Sequence, residues 1–280
     1  MGTDNYYSVK EDVQKYIDGC KTKMNVRTHK VFGRAVLAGM MIAFGASASN
    51  VAAHAVTNVG LSRLVAGCVF PVGLMMVVLL GAELFTGDCL MAMGNAEGAC
   101  TIWDLIKFLF VVYVGNFVGS ILLAVVNVIS GQLNYSSGLL GAYTIKVAMG
   151  KVNMSFGQAL CSGILCNILV CAAVLMAMCA RDIVGKLFAC FFTIMLFVVA
   201  GYEHCIANMY YIPAGIFASM NPDYVAKAKE LYGITGSQIA ALNWGNFFTV
   251  NLLPVTIGNI IGGGFIIGGL FFYLHGKNCK

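Results

Sequence analysis

Six long apolar stretches run along the chain, and short polar segments separate them. They cover approximately residues 31–54, 62–92, 104–130, 155–180, 184–220 and 243–274. A helix of about 20 apolar residues is long enough to cross the hydrocarbon core of a bilayer. The pattern therefore predicts an all-α polytopic membrane protein with six transmembrane helices.

The fifth apolar stretch contains polar residues near its middle. Its first run ends at Gly201, Glu203 and His204 follow, and a second run resumes around Pro213. Ionisable residues inside a membrane are costly and mark functional sites, and freed backbone at that depth must be buried in protein or line a cavity. We therefore expect an interruption over 201–208 that lines a permeation path.

Three pairs of similar segments occur in the same order in the two halves of the chain. The pairs are 32–39 with 156–163 (both F-G-x-A-h-x-x-G, where h is apolar), 81–83 with 201–203 (both G-x-E), and 115–119 with 258–262 (both G-N-x-x-G). They predict two copies of a three-helix unit, at about 31–130 and 155–274. Because three is odd, the copies enter the membrane from opposite sides. Such inverted repeats place a transport site at the midplane, between interrupted helices. The matching interruption in helix 2 is expected at 84–88.

The first 30 residues form a separate polar segment. Ser8 and Glu11 have the spacing of a capping box, and apolar residues then recur at helical spacing. We expect an amphipathic cytoplasmic helix within 1–30, a single membrane domain over 31–275 and a cytoplasmic tail over 276–280. We interpret the basic residues of this helix as a signal that fixes its side of the membrane, in preference to a binding site for a partner protein.

Composition and charge agree with a multi-pass membrane protein. Of 280 residues, 59% are hydrophobic and only 10% are charged. With the N-terminus in the cytoplasm, 12 of the 17 Lys and Arg residues fall on that side, which predicts that both termini are cytoplasmic. The net charge of +5 therefore indicates topology, and no nucleic-acid partner is expected. The 11 cysteines lack metal-site spacing, so we expect no metal and no cofactor.

Several motifs together resemble those of the formate/nitrite transporter family, over about residues 10 to 275. They are L-F-T-G at 84–87, Lys151, G-I-L-C-N at 163–167, E-H-C-I-A-N-M at 203–209 and V-T-I-G-N-I-I-G-G at 255–263. The resemblance implies a homopentamer of aquaporin-like protomers in the cytoplasmic (inner) membrane of a bacterium. Each protomer would have its own pore for small monovalent anions or their conjugate acids.

The resemblance also implies roles for individual residues. His204 would be the central pore histidine, Thr86 its companion, and Lys151, with Asn167 nearby, would draw anions into a vestibule. Hydrophobic constrictions would involve Phe70, Leu74, Leu84, Val170 and Phe197. From position alone, Lys151 reads as a lysine that snorkels to the interface.

The polar residues at the two interruptions have a structural interpretation. A carboxylate facing an anion pore would repel the permeant, so Glu83 and Glu203 are expected to cap backbone donors freed at the breaks. Asn208 is likewise assigned a structural role.

Transport of a small anion is the predicted function. Hydrosulfide is the first candidate, because the overall sequence most resembles the clostridial hydrosulfide channel branch of the family, and hydrogen sulfide is a weaker acid than formic or nitrous acid. Formate or nitrite passage and proton-coupled symport of the same anions stay open. A water or glycerol channel is disfavoured because the chain contains no Asn-Pro-Ala tripeptide. An enzyme is not expected, because metalloprotease and serine-hydrolase motifs are missing.

Overall fold

The structure, a computed structural model, describes residues 6–276 and is almost entirely helical. The predicted tail at 276–280 lies outside the described residues except for Gly276, as do the first five residues of the predicted N-terminal segment. Within the described part, six helices are long and apolar enough to cross a membrane, which confirms the six predicted spans. They are Thr28–Ala53, Val59–Leu80, Ile102–Ile129, Phe156–Cys179, Ile183–Ala200 and Trp244–His275.

The N-terminal helix α1 (Val9–Met24) begins at the predicted capping box. The Ser8 side chain accepts from the backbone N–H of Glu11, and the Glu11 carboxylate accepts from the backbone N–H of Ser8. The apolar face that includes Val13 and Ile17 is buried. Helix α1 is therefore docked on the membrane-spanning part of the protein.

Asp12 is the carboxylate that this docking buries. Burial raises the pKa of Asp12 to about 6, although a hydrogen bond with the Cys179 thiol and the charge of Lys15 both lower it. Nearby, the backbone N–H of Tyr7 donates to the Cys179 carbonyl at 2.8 Å. The start of the chain is thus held against the end of the fourth span.

The second span is interrupted, as predicted, but the break begins earlier than 84–88. Helix α2 (Thr28–Ala53) leads into α3 (Val59–Val69) and α4 (Val72–Leu80). Gly81 then takes a left-handed conformation, with φ 66° and ψ 36°, which ends α4. The chain is non-helical to Leu84, and α5 (Phe85–Asp88) resumes the helix, followed by α6 (Ala92–Ala96). Leu84 belongs to the break, while Thr86 lies inside the following helix.

The fifth span repeats this construction. Helix α7 (Ile102–Ile129) ends the first half, and α10 (Ile183–Ala200) ends at Gly201, with φ 78° and ψ 30°. Helix α11 (Cys205–Ala218) begins directly after His204, so this break is shorter than the predicted 201–208. Both breaks are thus G-x-E-x segments that a left-handed glycine opens, because glycine adopts positive φ at little cost.

The connections between the third and fourth spans and between the fifth and sixth spans are helical, although their sequences contain no recognisable motif. Helix α8 (Tyr135–Val152) precedes α9 (Phe156–Cys179), and α12 (Pro222–Tyr232) and α13 (Gly236–Ala241) precede the last span. Lys151 therefore lies at the end of α8, shortly before the fourth span. That last span, Trp244–His275, is here named α14 and contains π-helical turns at Phe247–Leu252 and Ile261–Gly268.

Equivalent contacts relate the two halves, but one predicted motif pair is out of register. Asn116 of α7 donates to the Ala35 carbonyl, and Asn259 of α14 donates to the Gly163 carbonyl. Ala35 is the fourth residue of the shared F-G-x-A-h-x-x-G motif, whereas Gly163 is the eighth. The motif copies are therefore displaced by about one helical turn of 3.6 residues, although the repeat they indicated is present.

Candidate functional site

Two cavities approach the interrupted helices from opposite ends. The larger, about 810 Å³, is here named the Lys151 vestibule, and Phe70, Phe197 and His204 are among its lining residues. The smaller, about 250 Å³, is named the Lys23 vestibule, and Leu74 and Leu84 are among its lining residues. No residue is shared between the two linings, so protein closes the path between them.

Thr86 and His204 form a buried polar contact between the two halves of the chain. Thr86 Oγ1 and His204 Nε2 are 2.8 Å apart, and both side chains are buried. Thr86 comes from the first turn of α5, and His204 stands immediately before α11. The two helix breaks therefore place one hydroxyl and one imidazole against each other at the centre of the protein, as the resemblance implied for this pair.

The second nitrogen of the imidazole determines what His204 can do. Nδ1 accepts a hydrogen bond from the backbone N–H of Ala207 at 3.0 Å, so His204 is the N-cap of α11. A ring nitrogen that accepts carries no proton, and the other nitrogen of a neutral imidazole is then the donor. His204 is thus held as the neutral tautomer that donates from Nε2 towards Thr86.

Aromatic and aliphatic side chains surround this polar contact. The Phe70 and Phe197 rings pack edge to face with centroids 5.5 Å apart, and the Phe197 and His204 ring centroids are 6.0 Å apart. On the other side, Leu74 and Leu84 are buried at the end of the Lys23 vestibule. Four of the five expected constriction residues therefore stand where each vestibule ends.

A buried ion pair holds the break in the fifth span. Lys151 Nζ is 2.8 Å from Glu203 Oε1. The other carboxylate oxygen accepts from Asn208 Nδ2 at 2.7 Å and from Asn251 Nδ2 at 3.2 Å. Asn251 also donates to the Lys151 carbonyl at 3.0 Å, from the π-helical start of α14. The carboxylate is therefore neutralised and fixed.

The break in the second span has a corresponding ion pair. Lys23 Nζ of α1 is 2.6 Å from Glu83 Oε2 and 2.5 Å from Asp88 Oδ1, and Arg34 lies 3.7 Å from Glu83. Burial lowers the pKa of Lys23, but the Asp88 and Glu83 carboxylates raise it above its ordinary value. Lys23 thus holds the first break as Lys151 holds the second.

The comparisons with known proteins decide the family. A family model described as formate/nitrite transporter matches residues 10–273. The chain belongs to the formate/nitrite transporter family. It is 38% identical over 256 residues to the formate channel FocA of Haemophilus influenzae, covering 90% of this chain and 89% of that protein. It is also 38% identical to a probable formate transporter of Methanothermobacter thermautotrophicus, covering 89% of each.

Solved structures agree with this assignment. A pentameric formate channel with formate bound has a TM-score of 0.81 and 34% identity, covering 89% of this chain and 98% of that one. An ion channel of the same family has a TM-score of 0.79 over 94% of this chain, and at 23% identity it supports the fold alone. This member of the formate/nitrite transporter family is a multi-pass membrane protein with the six-helix, inverted-repeat, aquaporin-like fold, and the family consists of channels and transporters.

The carboxylates at the breaks differ from the expectation that they cap backbone donors. Asparagines make those contacts: Asn116 Oδ1 accepts from the backbone N–H of Phe85, and Asn259 Oδ1 accepts from that of Cys205, both at 2.9 Å. A carboxylate would add a buried charge there, whereas an amide also donates, and each Nδ2 binds two carbonyls. Glu83 and Glu203 are bound by lysines instead.

Asn167 does not line the Lys151 vestibule. It is fully buried in α9, and its Nδ2 donates to the Thr86 carbonyl at 3.1 Å and to the Asn259 carbonyl at 2.6 Å. Val170, one turn further along α9, is also buried and lines neither vestibule. Asn167 thus links the carbonyl of Thr86 in α5 to that of Asn259 in α14.

Sequence reasoning missed Lys23, Asp88, Asn116 and Asn251 as parts of the site. Asn116 and Asn259 had a usable sequence signal, because each is the asparagine of the repeated G-N-x-x-G motif. Lys23 had none, since it stands among other lysines on a polar helix.

Proposed function

We propose that the protein is a channel for small monovalent anions, with formate as the principal permeant. The observation that carries the proposal is the Thr86–His204 contact at 2.8 Å, which stands between two vestibules that each contain a lysine. A permeant that enters the contact exchanges the Thr86–His204 hydrogen bond for contacts with the imidazole N–H and with a hydroxyl that can donate or accept. The formate channels among the relatives supply independent support for this permeant.

Formate suits these two side chains better than hydrosulfide, which the sequence placed first. Formic acid, the form in which we propose that formate crosses, has a carbonyl oxygen that accepts and a hydroxyl that can donate or accept. The N–H of His204 and the hydroxyl of Thr86 match these two oxygens, whereas hydrogen sulfide offers a single sulfur atom and weak hydrogen bonds. Formate therefore takes first place, with nitrite as the other two-oxygen anion.

The anion enters through electrostatic attraction and crosses the constrictions without its charge. The lining of the Lys151 vestibule has more cationic side chains than carboxylates, and this excess raises the local concentration of anions. Phe70 and Phe197 on one side, and Leu74 and Leu84 on the other, surround the path with apolar groups, where a bare charge is too costly. Formate therefore crosses as formic acid.

The proton that this requires comes from the vestibule water, and His204 supplies a hydrogen bond. A neutral imidazole that gave up its Nε2 proton would become an imidazolate. To become an imidazolium first, it would have to lose the hydrogen bond from Ala207 to Nδ1. His204 thus orients the permeant and favours monovalent species with an acceptor oxygen.

We also propose the same assembly and location as the sequence predicted: a homopentamer in a bacterial cytoplasmic membrane with both termini in the cytoplasm. The pentameric formate channel at TM-score 0.81 supports the assembly. The excess of Lys and Arg on the side of the N-terminus supports the orientation.

The test is uptake of formate, nitrite, hydrosulfide and chloride by proteoliposomes, compared with protein-free liposomes of the same lipid. We expect formate to move fastest, nitrite within about tenfold of it because it shares two acceptor oxygens, and chloride to move little. Hydrosulfide in first place would contradict the permeant assignment. No flux of any of the four anions through folded protein would contradict the channel itself.

A further inference from the structure

The two vestibules differ in their charged groups. The described lining of the Lys151 vestibule has three side chains that carry a permanent positive charge and one carboxylate, Glu203, which Lys151 already pairs. The described lining of the Lys23 vestibule has two lysines, Lys15 and Lys23, balanced by Glu83 and Asp88. Only the Lys151 vestibule therefore has an excess of positive charge, and the excess comes from Arg63 and Lys146.

Arg63 stands directly over the break in the fifth span. Its Nη1 donates to the Val199 carbonyl at 3.2 Å, at the C-terminal end of α10. The guanidinium occupies space that exists because residue 201 is a glycine, since a Cβ there would lie 2.5 Å from Nη1. Two residues beyond Gly201 is Glu203, and His204 follows. The charge is thus fixed above the entrance to the Thr86–His204 contact.

A guanidinium in this position retains donors for an anion. Arg has five N–H donors in a rigid planar fork, which matches the two oxygens of a carboxylate. The bond to Val199 uses one of them. Helix carbonyls at a C-terminus attract cations, so α10 holds the guanidinium in place without neutralising its charge.

Lys146 is the second cation of the excess and comes from α8, one turn before Lys151. Its Nζ lies over the Tyr232 ring at 4.6 Å and over the Tyr143 ring at 5.6 Å from the centroids. An aromatic face holds an ammonium group without cancelling its charge. Both tyrosines line the same vestibule, so Lys146 is held at its wall.

We propose that Arg63 and Lys146 form a second anion subsite at the mouth of the Lys151 vestibule, which loads formate into the pore from that face. The inference rests on the proposed function and adds a site that binds the carboxylate before it reaches Lys151 and the constriction. The Lys23 face has no such subsite among its described lining residues, so formate saturates the pore at lower concentration from the Lys151 face.

The test compares initial formate uptake across a range of concentrations in right-side-out and inverted membrane vesicles, which present opposite faces. The variants are Arg63→Gln, Lys146→Gln and Arg63→Lys, and the control is Lys229→Gln. Lys229 lies on α12 at the same face but does not line the vestibule. Thermal unfolding of each purified variant confirms that it folds.

We expect Arg63→Gln and Lys146→Gln to raise the half-saturating formate concentration about three- to tenfold from one face only, as removal of one nearby charge predicts. The wild-type value should rise with ionic strength, and this rise should be smaller in both variants. Arg63→Lys should fall between the wild type and Arg63→Gln, because it keeps the charge but loses the planar fork. Lys229→Gln should change neither face.

Three results would overturn the inference. Unchanged half-saturation in both Gln variants would show that the cations do not bind the permeant. An Arg63→Lys variant as impaired as Arg63→Gln would show that Arg63 only clamps the end of α10. Equal shifts from both faces would place the effect elsewhere. Absence of formate uptake by the wild type would instead overturn the proposed function, and the subsite with it.

Discussion

Replacing His204 by asparagine is expected to lower formate flux at least tenfold while the protein stays folded. His204 has two separable contacts: Nδ1 caps α11 through the Ala207 N–H, and Nε2 faces Thr86. Asparagine is one of the best N-cap residues, and its side-chain oxygen can replace Nδ1. Its side chain is too short to replace Nε2. The substitution therefore removes the donor to the permeant and keeps the helix start.

His204→Ala is the matched variant, because it removes both contacts. It should lose the same flux and, in addition, about 1 kcal/mol of stability, the usual cost of a lost N-cap. Formate uptake by proteoliposomes gives the flux, and thermal unfolding gives the stability. If His204→Asn transports formate at the wild-type rate, the imidazole serves only as the N-cap of α11 and does not bind the permeant.

Lys151→Met is expected to destabilise the protein and to impair formate capture. Glu203 would keep its hydrogen bonds from Asn208 and Asn251 but lose its cation. Removing one partner of a buried ion pair costs about 3–5 kcal/mol, and we expect about 3 because 15% of the Lys151 side chain is exposed. The half-saturating formate concentration should rise about tenfold with the loss of the charge.

The double variant Lys151→Met with Glu203→Gln separates the two effects. A neutral amide can accept from Asn208 without needing a cation, so stability should return to within about 1 kcal/mol of the wild type. Capture of formate should stay impaired, because the Lys151 ammonium group is missing as a donor even though the net charge of the pair equals that of the wild type. Recovery of wild-type uptake by the double variant would show that Lys151 serves only to neutralise Glu203.

The sequence was informative where membrane physics leaves few alternatives. Six apolar runs predict six spans, and a glycine followed by a glutamate in the middle of an apolar run predicts a broken helix. The same argument selected His204, because an ionisable side chain in the middle of a membrane span is costly and therefore marks a functional site. The family resemblance added Thr86 as its partner, and the structure places the two side chains in contact.

The rest depended on contacts between residues far apart in the chain. Lys23 reaches Glu83 across 60 positions, and nothing in the pattern of a polar helix selects it over Lys21 or Lys15. Helix α8 escaped prediction because its mixture of polar and apolar residues resembles a connection. The first break was placed too late, because Gly81 ends the helix before the polar residues begin.

The most direct test of the account is the proton and charge balance of formate transport by the wild-type protein. Proteoliposomes would contain a pH-sensitive dye, and potassium gradients with an ionophore would set the membrane potential. After subtraction of the leak in protein-free liposomes, passage as formic acid predicts that about one proton enters per formate and that the rate does not depend on potential. A rate that follows the potential, with no acidification of the lumen, would show that the bare anion crosses the constrictions and would contradict the account.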